Sequence, residues 1–92
     1  MGDVKSRIAA DRLFSELDGT HVSVGGSDWR VDVFSVIDEP DRRWLQITLE
    51  GSVRRILTLK LHKTEGPRQV VRSLCSWLAD PTARPNILQR VA

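Results

Sequence analysis

The sequence is poor in the residues that stabilise small secreted domains and that build most catalytic centres. It contains one cysteine, two histidines and no tyrosine, and aromatic residues make up 5% of its 92 positions. The single cysteine, Cys75, cannot form an internal disulfide, which agrees with a reducing compartment. No apolar run approaches the roughly 18 residues of a membrane span, and the first residues, MGDVKSRIAADRLF, lack the apolar core of a signal peptide. We therefore expect a cytoplasmic protein that does not enter a membrane.

Catalytic and metal-binding motifs are also missing. The sequence has no P-loop, no dinucleotide fingerprint and no G-x-S-x-G elbow. His21 and His62 lie on separate predicted strands, and neither has a nearby carboxylate or cysteine at the spacing of metal ligands. The acids of DEPD, residues 38–41, are expected in an exposed hairpin loop as ordinary charged side chains. We expect no catalytic, cofactor-binding or metal-binding residues, while an enzyme whose site is assembled from ordinary residues stays open.

The charge is small overall but unevenly spread. The formal net charge is +2, yet residues 1–50 carry six basic and ten acidic groups, whereas residues 51–92 carry eight and two. This asymmetry could direct a polyanion to the C-terminal half or bring opposite halves of two copies together. It could equally be neutralised within one fold.

Two stretches have the three- and four-residue spacing of apolar residues that is typical of helices. The first runs from Asp3 to Asp18 and is ended by Gly19. The second begins after Gly66, with proline at its first position, and is ended by Pro81. One side of the second helix collects its apolar residues: Val70, Val71, Leu74, Cys75, Trp77 and Leu78.

Four runs alternate apolar and polar residues, as antiparallel strands do. The first two runs lie in THVSVGGSDWRVDVFSVI, where a two-residue turn at Gly26-Ser27 would place Val24 opposite Trp29. The last two lie in WLQITLEGSVRRILTLKLHK, where a three-residue connection, 51–53, keeps the apolar residues on one face. That register predicts three cross-strand pairs: Leu45 with Leu59, Ile47 with Leu57, and Glu50 with Arg54.

The predicted order of elements is α-β-β-β-β-α. We expect one α+β domain over residues 1–92, a two-layer sandwich in which the N-terminal and C-terminal helices pack on one face of a four-stranded antiparallel meander. The tail, residues 81–92, is expected to be a short terminal helix or a segment swapped onto a neighbour.

The sheet face opposite the helices, here called the outer face, is left uncovered. At one end it carries a predicted charged row of Arg30, Glu50 and Arg54, which is typical of a solvated surface. Its other end is apolar enough to predict an interface with a second copy or another protein. The interface residues that we expect are Phe34, Val36, Trp44 and Ile56.

Three alternatives stay open. The tail itself could cover the outer face with Ile87, Leu88 and Val91. A nucleic acid could bind there, because aromatic and basic side chains together can stack and neutralise it. Its expected contacts are Arg54, Lys60, Lys63, Arg68 and Arg72. A crevice between the first helix and the sheet could also hold a small molecule, with Trp29 or Trp77 on its wall.

Overall fold

The computed structural model of the chain describes residue 13 and residues 15–90. Leu13 and residues 15–17 are helical, and Leu13 and Leu17 are buried. The rest of the helix predicted from Asp3, including Ala10 and Phe14, lies outside the described residues, as does Val91 of the tail.

The described residues form an antiparallel sheet with one long helix, so the predicted α+β class is confirmed. The strands are β1 (His21–Val24), β2 (Ser27–Asp38), β3 (Arg43–Glu50), β4 (Arg54–Leu61) and β5 (Ile87–Arg90). They lie side by side in the order in which they occur along the chain. Helix α1 (Pro67–Ala79) and a 3₁₀ turn (Pro81–Ala83) come between β4 and β5.

The predicted count of four strands is wrong, because the tail adds a fifth. Ile87 pairs with Leu59 and is buried in the core. Pro85 cannot donate the N–H that would continue a helix beyond the 3₁₀ turn at Pro81–Ala83, and the unpaired backbone of β4 gives the next residues a ladder to join. The described part of the tail, residues 81–90, therefore combines a short 3₁₀ turn with a strand that extends the sheet at its edge.

The first hairpin turns one residue earlier than predicted. Gly25 and Gly26 form the turn, with φ angles of 59° and 81°, so that Val24 pairs with Ser27 and Val22 with Trp29. A two-residue turn with positive φ at both positions matches the twist of the strands, and adjacent glycines adopt it without steric cost. The register shifts by two residues, which leaves every side chain on its predicted face.

The β3–β4 hairpin has the predicted register. Leu45 pairs with Leu59, Ile47 with Leu57 and Glu50 with Arg54. The limits of helix α1 are also as expected: it begins with Pro67 after the N-cap Gly66, and Asp80 ends it.

A β-bulge at Phe34 changes the end of β2. Val33 pairs with Ile47, but the next paired residue is Ser35, opposite Gln46, so Phe34 has no partner in the ladder. The extra residue reverses the alternation that follows it. Val36 therefore pairs with Leu45 and packs against the core, and its predicted place on the outer face is wrong. Ile37, opposite Trp44, takes that place.

The core lies between the sheet and the helical segments. Val70, Leu74 and Trp77 of α1, together with Leu13 and Leu17, belong to the same buried cluster as the inward side chains of the strands. In the part of the chain that the structure describes, the helical residues and the inward side of the sheet therefore share one core. The strand residues of the cluster are Val22, Trp29, Val31, Val33, Leu45, Ile47, Leu49, Leu57, Leu59, Leu61 and Ile87.

One end of the core is closed by an arginine between two tryptophans. The guanidinium carbon of Arg55 lies 5.5 Å from the ring centroid of Trp29 and 5.7 Å from that of Trp77. Its Nη1 donates a hydrogen bond to Oε1 of Gln89 on β5, at 3.1 Å. Both tryptophans are buried and stacked on this cation, so they act as core residues.

Gly51 is required because the ring of Trp29 lies against it. A Cβ at Gly51 would stand 2.6 Å from Cε3 of Trp29, and the ring is held by the core and by Arg55. We expect Gly51→Ala to lower the free energy of unfolding by about 1–3 kcal/mol, as overpacked sites do, in urea denaturation. Gly66→Ala is the control: its nearest neighbour would be Oε1 of Gln69 at 3.4 Å, so it should lose only the preference for glycine over alanine at an N-cap, about 0.5–1 kcal/mol. Equal losses in the two variants would contradict this account.

Candidate interaction surface

The outer face has one charged end, and its charges are paired within the chain. Arg30, Glu50 and Arg54 form the predicted row across β2, β3 and β4. Arg30 pairs with Asp32 at 2.9 Å, and Arg54 pairs with Glu50. On β1, Nδ1 of His21 lies 3.1 Å from Oδ2 of Asp28.

The hydrogen bonds of these pairs hold two of the carboxylates in their ionised form. The pKa of Asp32 is lowered chiefly by its hydrogen bonds from Arg30. That of Asp28 is lowered by the hydroxyl of Ser23, which donates at 2.9 Å, and then by His21. Local partners therefore balance the acids at this end of the face.

The rest of the outer face is rich in exposed apolar side chains. Phe34, Ile37 and Leu88 are 52%, 49% and 60% exposed. Trp44, directly opposite Ile37, and Ile56, opposite Thr48, are half-buried. We call these five residues the outer patch. Between its two sides lie the uncharged side chains Gln46, Thr48 and Thr58.

Trp44 is held in a fixed position on this patch. Its indole Nε1 donates a hydrogen bond of 2.8 Å to Oε1 of Glu39, so the polar group of the ring is satisfied. The ring forms one wall of a hollow of about 370 Å³ that Ile37, Gln46 and Thr58 also line. A satisfied, ordered aromatic ring beside a hollow is suited to receive an apolar side chain from another molecule.

Three of the four residues predicted for the interface lie on the outer patch: Phe34, Trp44 and Ile56. Val36 does not, because the bulge at Phe34 turns its side chain towards the core. Sequence reasoning missed Ile37 and Leu88. Two signals for Ile37 were available after the alternating residues 29–33, the adjacent apolar pairs Val33-Phe34 and Val36-Ile37, because strict alternation has no place for two neighbouring apolar residues.

The five basic residues predicted for nucleic-acid contact are distributed over different parts of the molecule. Arg54 and Lys60 lie on the outer face, whereas Arg68 and Arg72 are exposed on α1, in the layer that packs on the inner face. Nζ of Lys63 pairs with Oδ1 of Asp38 at 3.1 Å. The set does not form one continuous basic surface.

A buried ion pair stands at the β2–β3 hairpin, where exposed acids were expected. Oδ1 of Asp38 accepts a hydrogen bond from Nε of Arg43 at 2.7 Å, and the two side chains are only 6% and 11% exposed. Burial raises the pKa of Asp38, but the hydrogen bonds and charges of Arg43 and Lys63 outweigh burial and lower it overall. Oδ2 is buried and has no hydrogen-bond partner among the described residues. This carboxylate is thus a structural anion that ties β2 to β3.

Within residues 15–90 and Leu13, no group of three or more His, Cys, Asp or Glu side chains is placed to hold a metal ion. No helix in the same part of the chain is both long enough and apolar enough to span a membrane.

Comparison of the chain with protein-family models, with curated protein sequences and with solved structures finds no match. The function is therefore argued from the geometry of this surface alone.

Proposed function

We propose that this chain is a small binding protein, not an enzyme, and that it forms a homodimer by packing the outer patch against that of a second copy. The observation that carries the proposal is the exposure of Phe34, Ile37 and Leu88 on the same sheet face as Trp44, whose indole N–H is bonded to Glu39. A cluster of large apolar side chains on one face is unfavourable in water and is typical of contact sites. Packing two sheets face to face removes such a cluster from solvent.

The charges of the outer face favour a second copy over a polyanion. Its strands present four basic residues, Arg30, Arg54, Lys60 and Arg90, and three acidic ones, Asp28, Asp32 and Glu50. Each acid already has a basic partner or a histidine in the same chain. A face that is nearly neutral does not repel an identical face, whereas a nucleic acid binds through a marked excess of positive charge.

The proposal includes a cytoplasmic setting. Cys75 is the only cysteine of the chain, and its half-buried thiol packs against the core without a disulfide. A protein that needs no disulfide for its stability can fold in a reducing compartment.

The test is the solution mass of the protein, measured by sedimentation equilibrium over a range of concentrations at low and high salt. We expect a dimer whose dissociation constant changes little with salt, because apolar burial does not depend on screened charges. A monomer at every concentration, or a dimer that dissociates when salt is raised, would contradict the proposal.

Nucleic-acid binding is the competing outcome, and it is measured on the same samples. Fluorescence anisotropy with a single-stranded oligonucleotide would show binding that weakens steeply with salt and falls in Lys60→Gln. We expect no such binding, because Lys60 lies on the outer face whereas Arg68 and Arg72 lie on α1, in the layer that packs on the inner face.

A further inference from the structure

A second cavity, of about 430 Å³, lies at the end of β4. Three separate segments form it: the β2–β3 hairpin with Asp41 and Arg42, the end of β4 with Lys60 and His62, and the tail with Arg84. Glu65, in the loop before α1, completes the wall. The cavity is distinct from the outer patch, although Lys60 stands directly opposite Trp44 in the β3–β4 ladder.

Both acidic residues of the cavity already have partners. The carboxylate of Asp41 accepts two hydrogen bonds from Arg42, at 3.3 and 2.8 Å, and these lower its pKa so that it stays ionised and paired. Oε2 of Glu65 accepts the backbone N–H of His62 at 2.8 Å. Neither acid forms an ion pair with Lys60 or Arg84.

Of the three arginine and lysine residues that line the cavity, Arg42 is paired with Asp41, whereas Lys60 and Arg84 are left without ion pairs among the described residues. Lys60 and Arg84 contact no carboxylate within ion-pair distance in the part of the chain that the structure describes. Nε of Arg84 is buried and has no hydrogen-bond acceptor among the same residues. A buried donor without an acceptor is unfavourable, and an anion is the group that best satisfies a guanidinium.

Hydrogen bonds fix the backbone positions from which Lys60 and Arg84 extend into the cavity. The backbone N–H of Lys60 donates to the carbonyl of Asn86 at 2.9 Å, and the side-chain amide of Asn86 donates to the carbonyl of Lys60 at 3.3 Å. The N–H of Ile87 donates to the carbonyl of Arg84 at 3.1 Å. The tail is therefore anchored to the end of β4 before any ligand arrives, which reduces the entropy cost of binding.

We propose that this cavity binds a small molecule through a phosphate monoester group. Arg84 and Lys60 supply two positive charges for a group that carries about 1.5 to 2 negative charges at pH 7, and His62 can donate a further hydrogen bond. The volume exceeds that of a phosphate alone and falls within the range of about 300–1,000 Å³ for small-molecule sites. The ligand is thus a phosphate on a small organic body. This site does not depend on self-association.

The test follows backbone amide and arginine Nε–H resonances by NMR while inorganic phosphate, ribose 5-phosphate or acetate is added to the full chain. We expect saturable shifts at Lys60, His62, Arg84 and Asn86, with ribose 5-phosphate binding more tightly than phosphate and acetate more weakly. Arg84→Gln and Lys60→Gln should each weaken ribose 5-phosphate binding by about 10- to 100-fold, the value of a hydrogen bond to a charged group.

Arg68→Gln is the matched control, because Arg68 is an exposed arginine of α1, and it should leave the affinity unchanged. Lys60 is also exposed, so Lys60→Gln keeps the test valid if Arg84→Gln does not fold. Shifts that do not saturate would overturn the proposal. It would also be overturned if both cavity variants bound like wild type, or if Arg68→Gln weakened binding as much as they did.

Discussion

Replacing Asp38 with alanine should lower the free energy of unfolding by about 3–5 kcal/mol, the usual cost of removing one partner from a buried ion pair. The reason is Arg43, whose side chain is 11% exposed and would be left without its carboxylate. Lys63 would lose the same partner, but it is much more exposed and water can solvate it. Urea denaturation at pH 7 measures the loss.

Asp41→Ala is the matched control for this variant. Asp41 lies in the same hairpin and also pairs with an arginine, Arg42, but its side chain is 67% exposed. Exposed pairs contribute about 0–1 kcal/mol, so this variant should be nearly as stable as the wild type. Similar losses of stability in the two variants would show that the contribution of the Asp38 pair does not come from its burial.

The pH dependence of stability gives a second check on Asp38. Its pKa in the folded protein lies below the ordinary value of 3.8, so the folded state binds fewer protons there than the unfolded state. The stability that the ionised carboxylate contributes is therefore complete above about pH 4 to 5 and is lost as the pH falls through the folded pKa. The difference between wild type and Asp38→Asn should be constant near neutral pH and should shrink in that acidic range.

Replacing Trp44 with glutamate should dissociate the dimer. Truncating a central aromatic anchor costs about 2–4 kcal/mol of binding, roughly a 30- to 900-fold increase in Kd. The fold should persist, because Trp44 lies outside the buried core and because Lys60, directly opposite in the ladder, offsets the repulsion between the new carboxylate and Glu39. Sedimentation equilibrium gives the Kd, and circular dichroism reports whether the variant is folded.

Val53→Glu is the control for the Trp44 variant. Val53 is 53% exposed, close to the exposure of Phe34 and Ile37, but it lies in the β3–β4 turn and outside the outer patch. Its charge should leave association intact. If Trp44→Glu unfolds, Leu88→Glu tests the same surface from β5, where the side chain is 60% exposed. Dissociation by Val53→Glu to the same extent would place the interface elsewhere.

The sequence was sufficient to predict features that local patterns determine. Leu45, Ile47 and Leu49 alternate without a break, and a three-residue connection then leaves one register that keeps them beside the leucines of β4. The start of α1 could also be predicted, since proline at the first helical position follows Gly66, whose backbone is extended.

The errors came from features in which tertiary packing overrides the local pattern. The neighbouring apolar residues Val33 and Phe34 break the alternation, but only the pairing with β3 places a bulge at Phe34, which moves Val36 into the core and Ile37 onto the outer face. The sequence of the tail predicts a weak helix or a loop. Ile87 becomes a strand residue only because the open edge of β4 offers it a partner. The burial of Asp38 has the same origin, because Arg43 and Lys63 meet it through the fold.

The candidate sites differ in how far sequence could predict them. Phe34, Trp44 and Ile56 follow from alternation, so three of the five residues of the outer patch were foreseeable. The cavity of Lys60 and Arg84 was not, because its walls come from segments about 20 residues apart that meet only when β5 pairs with β4.

The most direct test of the central claim is an isotope-filtered NOE experiment on a mixture of labelled and unlabelled protein, which detects only contacts between copies. The account predicts cross-peaks between copies among the side chains of Ile37, Trp44 and Leu88. Cross-peaks that arise instead from the exposed side of α1, around Arg68 and Arg72, would contradict it. So would a sample that is a dimer by mass but shows no contact between copies at the outer patch.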